Sequence, residues 1–254
     1  MIEKLNSKWI NPSYEKAGPI LVFLHEGLGS IRMWSSFPQN LCDSLGLRGF
    51  IFEREGYGKS MPIREKRKKD YLHIQAVEVL PKMIKHHLPN QDFILVGHSD
   101  GGSIALIFAA NCASENLKGI VTVAAHSFVE DISLSGIEEA MEVYKKGRLK
   151  VSLEKHHGEK TEETFFAWAD TWLNSEFKTW NILEEIKSVK CKALITQGSA
   201  DEYGTPLQVS EACKAIGENA KGHLYAGLGH SPHRQDENMV LKDLVSMMEE
   251  LIAE

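Results

Sequence analysis

The sequence predicts an α/β protein: a mostly parallel sheet flanked by helices and interrupted once by a helical insertion. Three observations carry this. Short apolar runs alternate with longer stretches of helical periodicity over most of the chain. The runs are apolar at nearly every residue, as strands buried on both faces require. The alternation stops between about residues 127 and 187, where charged helix-like stretches follow one another with no convincing strand.

The elements follow in order. Residues 2–10 read as a first short strand before Pro19–His25 (PILVFLH), an apolar run that ends in a glycine-rich loop. Ile31–Leu45 predicts a helix and Gly49–Glu53 (GFIFE) a strand. Tyr71–Leu88 places Leu72, Ala76, Val79, Leu80 and Ile84 on one helical side, with a kink expected at Pro81. Asp92–Gly97 is a strand, Gly101–Ala113 an apolar helix and Leu117–Ala125 a further strand. After the insertion come a strand at Cys191–Gln197, a helix at Thr205–Ile216, a short strand at Gly222–Tyr225 and a last helix at Asp236–Ile252. The expected domains are a core of residues 1–126 and 188–254 and a helical cap of 127–187. In open α/β sheets ligands bind at the carboxyl edge of the strands, where this insertion would sit.

Composition bounds the function. The 254 residues are 43% hydrophobic and 25% charged, ordinary for a globular chain, and the net charge is −6. That charge gives no global attraction to nucleic acid or anionic lipid. The basic run Arg64–Lys69 is broken by Glu65 and followed by Asp70, so it reads as a solvated loop. Cys42, Cys112, Cys191 and Cys213 form no C-x-x-C pair, which points to reduced thiols in place of a disulfide framework or zinc site. The first residues hold no apolar signal core, and no run reaches the ~20 apolar residues of a membrane span. A cytoplasmic protein is expected.

The chemistry centres on Gly97-His98-Ser99-Asp100-Gly101, a G-x-S-x-G match with a strand running into it and a helix leaving it. A sharp strand-to-helix turn needs small residues on both sides of the serine, and holds the serine exposed at its apex. An incidental serine on a glycine-rich turn is the competing reading. A serine hydroxyl needs a base, and a histidine base needs an acid to orient it. Asp201, shortly after the strand CKALITQ, is the candidate acid, with Glu202 its neighbour and rival. His230, in GLGHSPH, is the candidate base, with His233 its rival. His230 and His233 could pair on a metal, but no third ligand of suitable spacing is evident.

LHEGLGS (24–30), REGYGKS (54–60), VGHSDGG (96–102), QGSADEYG (197–204) and GLGHSPH (227–233) resemble the α/β-hydrolase superfamily in order and context. Within it the chain looks most like the capped single-domain group of meta-cleavage-product hydrolases, menaquinone-pathway synthases and small carboxylesterases. The resemblance implies an eight-stranded, mostly parallel sheet with a helical cap inserted between strands six and seven. It also implies an oxyanion hole from the backbone N–H groups of Gly27 and Asp100, each worth roughly 3 kcal/mol in comparable sites. Two departures stand out. Glu26 replaces a glycine beside the hole, with Arg54 as its expected partner, and the strands before PILVFLH are abbreviated.

Phe165, Phe166, Trp168, Trp172, Phe177 and Trp180 crowd into the expected cap. Phe165, Trp168 and Trp172 share a helical face, which either packs the cap onto the core or lines a pocket. Glu26, His126, Trp168 and Trp172 are the candidate pocket residues. Arg148 is the cap's only arginine, which argues against a polycarboxylate substrate. The expected function is hydrolysis of a small-molecule carboxylic ester through an acyl-enzyme on Ser99, with no cofactor or metal. Carbon–carbon bond hydrolysis of a diketone-like acid on the same residues is one alternative, and a non-catalytic ligand-binding member of the fold is another. The expected partner is a small-molecule substrate, not nucleic acid or membrane, and a homodimer stays open.

Overall fold

The computed structural model describes residues 2–14 and 18–252, so the outermost ends of the expected core lie outside the described residues. Seven strands form one sheet: β1 (Ser7–Ile10), β2 (Ile20–Leu24), β3 (Gly49–Phe52), β4 (Phe93–His98), β5 (Leu117–Val123), β6 (Lys192–Gly198) and β7 (Ala220–Tyr225). Their spatial order is β1-β3-β2-β4-β5-β6-β7. Only β1 runs antiparallel, against β3; the remaining pairs are parallel. The resemblance implies eight strands, and among the described residues there are seven: β1 alone precedes β2 and closes the β3 edge. Every residue of β2, β3 and β4 is buried, which explains their unbroken apolar character.

The helices are α1 (Phe37–Leu45), α2 (Tyr71–Ile74), α3 (Leu80–His87), α4 (Asp100–Asn111), α5 (Asp131–Lys145), α6 (Arg148–His157), α7 (Thr161–Trp172), α8 (Leu207–Ile216), α9 (Pro232–Gln235) and α10 (Glu237–Ile252). Residues of α1 and α10, among them Phe37, Leu41, Val240 and Leu244, pack on one sheet face against Leu21, Phe23, Ile94 and Val96. On the other face α4 joins a larger apolar cluster with Leu72, Leu80, Phe93, Leu95, Ile120 and Ile195.

Two expected helices are interrupted. Ile31–Leu45 is a short 3₁₀ turn at Ile31–Trp34, a break at Ser35 (φ 54°) and then α1. Pro38 lies in the first turn of α1, where a missing N–H costs nothing. Within Tyr71–Leu88 the expected kink is a π turn at Gln75–Val79 between α2 and α3. Pro81 cannot donate to the carbonyl one turn back, and the ladder widens just upstream of it.

Helices α5, α6 and α7 lie between β5 and β6, with one isolated bridge, Phe128 to Asn181, at their base. Polar contacts tie this segment to the loops after β2 and β3. His157 accepts the Gly58 N–H at 3.0 Å and faces the Leu28 carbonyl at 2.9 Å. Thr164 Oγ1 donates to the Gly56 carbonyl at 2.6 Å. The basic loop is only partly solvated: Arg67 stacks on the rings of Tyr57 and Tyr71, at 4.7 and 5.6 Å. Among the described residues no helix is long and apolar enough to cross a membrane.

Candidate active site

Ser99 sits between β4 and α4 with φ 51° and ψ −118°, a strained conformation for a residue with a Cβ. Its surroundings explain the glycines. A Cβ on Gly97 would lie 2.2 Å from the Gly101 carbonyl oxygen, and one on Gly101 would lie 2.0 Å from that of Leu24. The turn is therefore closed by backbone-to-backbone contact, which only glycine permits. Ser99 N–H donates to the Val123 carbonyl at 2.8 Å. Among the described residues Ser99 Oγ makes no hydrogen bond, and it faces a cavity of about 240 Å³.

His230 lines the same cavity and is held at three points. Its Nδ1 lies 2.9 and 3.0 Å from the two carboxylate oxygens of Asp201. Its backbone N–H donates to Glu202 at 3.0 Å, and its carbonyl accepts from His98 Nε2 at 2.8 Å. The two rival carboxylates thus divide the work: Asp201 meets the ring and Glu202 the backbone. Asp201 itself accepts the Tyr203 N–H at 2.8 Å, which fixes its rotamer. Burial pulls the His230 imidazole down, but the Asp201 carboxylate carries it above its usual value. Burial raises the Asp201 carboxyl, and His230 outweighs this to hold it below its usual value. His233 is buried against Trp34 and Phe37 and does not line the cavity.

Neither the Gly27 N–H nor the Asp100 N–H donates to any acceptor among the described residues. The two residues are neighbours, since a Cβ on Gly27 would sit 3.4 Å from Asp100 Oδ1. Asp100 opens α4, so its N–H also carries the positive end of the helix dipole.

The expected pairing of Glu26 with Arg54 is not what forms. Arg54 pairs with Asp100 at 3.3 Å and touches only the backbone carbonyl of Glu26, at 2.7 Å. The reason is direction. The Glu26 side chain folds back over Gly29, where a Cβ would come within 2.3 Å of its Oε2. Its carboxylate then meets His98 Nδ1 at 3.5 Å. Burial raises the Glu26 carboxyl, but the His98 ring beside it holds it far below the usual carboxylate range.

Glu26, His126, Trp168 and Trp172 all line the cavity. His126 Nε2 faces the Tyr203 carbonyl at 3.0 Å, burial lowers its basicity, and its Nδ1 has no hydrogen-bond partner among the described residues. Trp168 and Trp172 form a wall from α7. Phe165, on the same helical face, stacks on Tyr144 at 3.9 Å instead, so the stripe both packs and lines. Leu28, Met33, His98, Ser133, Ile137, Tyr203, Ser231 and Arg234 also line the cavity and were not among the expected site residues. Leu28 and Tyr203 sit inside the quoted LHEGLGS and QGSADEYG stretches and Arg234 lies on the helix just after His230; Met33, Ser133 and Ile137 had no signal. A larger open hollow of about 950 Å³ lies under residues 63–70 against α7 and holds none of the candidate residues. Among the described residues no group of three or more His, Cys, Asp or Glu is placed to hold a metal.

This fold, with a cavity over a strained strand-to-helix turn, defines an α/β-hydrolase architecture. Residues 19–151 match the model of the α/β-hydrolase fold family, and the chain belongs to that family. Solved structures agree. An α/β-hydrolase enzyme from a Medee basin deep-sea metagenome superposes with TM-score 0.76 at 16% identity, covering 96% of this chain and 94% of the other. A carboxylesterase structure from the thaumarchaeon Nitrososphaera gargenis gives TM-score 0.74 at 17% identity, covering 97% and 94%. The enol-lactonase of Burkholderia xenovorans LB400 gives TM-score 0.74 at 14% identity, covering 96% of each. At these identities the likeness is one of fold. No curated protein sequence matches.

Proposed function

We propose that this chain is a serine hydrolase that cleaves a small-molecule carboxylic ester through an acyl-enzyme on Ser99. The observation that carries the reading is His230, which pairs with Asp201 at 2.9 Å and lines the same cavity as the strained Ser99. His230 takes the Ser99 proton as the hydroxyl attacks the ester carbonyl, and Asp201 holds the ring and stabilises the imidazolium. The Gly27 and Asp100 N–H groups receive the negative oxygen of the tetrahedral intermediate. His230 returns the proton to the leaving alcohol, and water, activated by the same base, releases the acid. Residues 127–187 act as the cap, and Glu26, His126, Trp168 and Trp172 form the substrate pocket. A cavity of about 240 Å³ suits a short acyl group.

The test is hydrolysis of short and long p-nitrophenyl acyl esters by wild type and Ser99→Ala, with fluorophosphonate labelling. Expected are a preference for short chains, labelling at Ser99 and loss of both in the variant. A wild type that neither turns over nor labels would overturn the reading.

A further inference from the structure

Arg54 lies just after β3 and is only 4% exposed. A buried guanidinium must find partners for its five N–H groups, and a carboxylate is the usual one. Here the carboxylate is the longer contact. Nη1 meets Asp100 Oδ2 at 3.3 Å, while Nη2 donates to the Glu26 carbonyl at 2.7 Å and reaches the His25 carbonyl at 3.2 Å.

The Glu26 carbonyl has two further donors, the Gly29 backbone N–H at 3.1 Å and the His25 ring. His25 Nε2 accepts the Arg54 backbone N–H at 3.1 Å, so the ring proton is on Nδ1, which donates to the Glu26 oxygen at 2.8 Å. Three donors converge on that oxygen, and the Arg54 guanidinium makes the shortest of the three contacts. The peptide unit is planar, and its C=O and following N–H point in opposite directions. Fixing the Glu26 oxygen fixes the Gly27 N–H, which has no acceptor among the described residues. Donors on a carbonyl also polarise the amide and strengthen its N–H. The other arm of the guanidinium acts on Asp100. Its carboxylate is held by Arg54 on one side and by the Tyr71 hydroxyl at 3.0 Å on the other, so the residue after Ser99 is pinned.

From this we infer that Arg54 is a positioning residue of the oxyanion hole, one buried guanidinium that orients both peptide groups whose N–H donors receive the tetrahedral oxygen. The assignment rests on the serine-hydrolase reading above. It differs from a plain structural salt bridge in what it predicts. A lysine keeps the charge and satisfies one arm, but it cannot hold a carbonyl and a carboxylate in the planar fork of arginine.

The experiment compares wild type with Arg54→Lys on a short p-nitrophenyl ester and on an acyl trifluoromethyl ketone, whose adduct with Ser99 places an oxyanion in the hole. Expected are a kcat about 100-fold lower with KM within about threefold, and ketone affinity lower by the same factor as kcat. Partial recovery of Arg54→Ala by millimolar methylguanidinium is expected as well. A folded Arg54→Lys with wild-type kcat, or with reduced kcat and undiminished ketone affinity, overturns the assignment. If Arg54→Lys does not fold, Asp100→Asn decides, because it loosens one arm and keeps the shape. A parallel fall of about tenfold in kcat and ketone affinity supports the assignment, and unchanged values overturn it. Ser99→Ala separates the two claims. A wild type that fails to label removes both, whereas a labelled wild type with an indifferent Arg54 variant removes only this one.

Discussion

The cavity has two sides built by different physics. Its floor is made at the carboxyl ends of β2, β4, β6 and β7, where backbone presses on backbone. The glycines at 97 and 101 could carry no Cβ without meeting a carbonyl oxygen within 2.2 Å. Its wall is α7, held by ring stacking and a few polar ties, with Trp168 and Trp172 turned toward Ser99. A backbone-made floor tolerates little change and fixes atoms to a fraction of an ångström, as the proposed oxyanion site would demand. A side-chain wall can be repacked, and it is where substrate choice can vary without loss of the chemistry.

The largest effect that separates the two sides is on the floor. Asp201→Asn removes the acceptor that holds His230 in its productive tautomer, and kcat falls by about 10⁴-fold. Glu202→Gln keeps an oxygen for the His230 N–H and falls by less than about tenfold. Steady-state kinetics of the two variants, one residue apart, checks the division of roles; equal losses would refute it. Gly27→Ala comes next. Its methyl would sit 2.5 Å from Trp168 Nε1, so the α7 wall is pushed off the floor. The expected loss is about 10²-fold in kcat, comparable to the loss of one oxyanion donor. Trp168→Ala, added to that variant, should restore part of it, and no restoration would show that the collision is not the cause.

On the wall, Trp168→Ala leaves the floor intact. It should destabilise the fold by about 3 kcal/mol, as expected for a buried aromatic truncated to alanine. It should also move the preferred acyl chain toward greater length while kcat on the best substrate stays within about tenfold. Urea unfolding and a chain-length series measure the two effects, and an unaltered length preference would remove Trp168 from the substrate pocket.

The same contrast explains how much could be read from the sequence. The strands, the turn at Ser99 and the order of Asp201 and His230 were legible because backbone constraints leave residue-type signatures: glycines at close approaches and apolar runs in doubly covered strands. The partner of Glu26 was not. Sequence places Arg54 near it, but the fold-back of Glu26 over Gly29 depends on a side-chain direction that no pattern encodes. The break at Ser35 and the π turn at Gln75–Val79 had proline signals at Pro38 and Pro81, but proline tells where a ladder fails and not which turn replaces it. Wall residues such as Ile137 and Met33 come from separate elements and carry no shared motif.

The smallest effect concerns pH, and buried histidines on both sides of this division supply it. Burial lowers the basicity of His25, His126, His157 and His233, so the folded chain binds fewer protons at these four than the unfolded chain does. Stability is therefore lost as pH falls below the ordinary histidine value of about 6.5, by up to about 1.4 kcal/mol per unit for each histidine. His230 has the opposite sign. Its raised value makes the folded chain bind the proton more tightly, so its contribution is full below the ordinary value and is lost as pH rises through the raised one. Its gain is complete at the ordinary value, so below that value the decline from the four runs unopposed. Asp201→Asn removes the largest raising influence and leaves burial, the lowering one, in place with Glu202 and Glu26 still against it, so His230 moves toward the others. The expected result, from urea midpoints at pH 5, 6, 7 and 8, is a decline toward acid in the wild type and a steeper decline in the variant. Equal slopes in the two would mean that His230 takes up no proton from its pairing with Asp201, and the electrostatic half of the proposed base would fail with it.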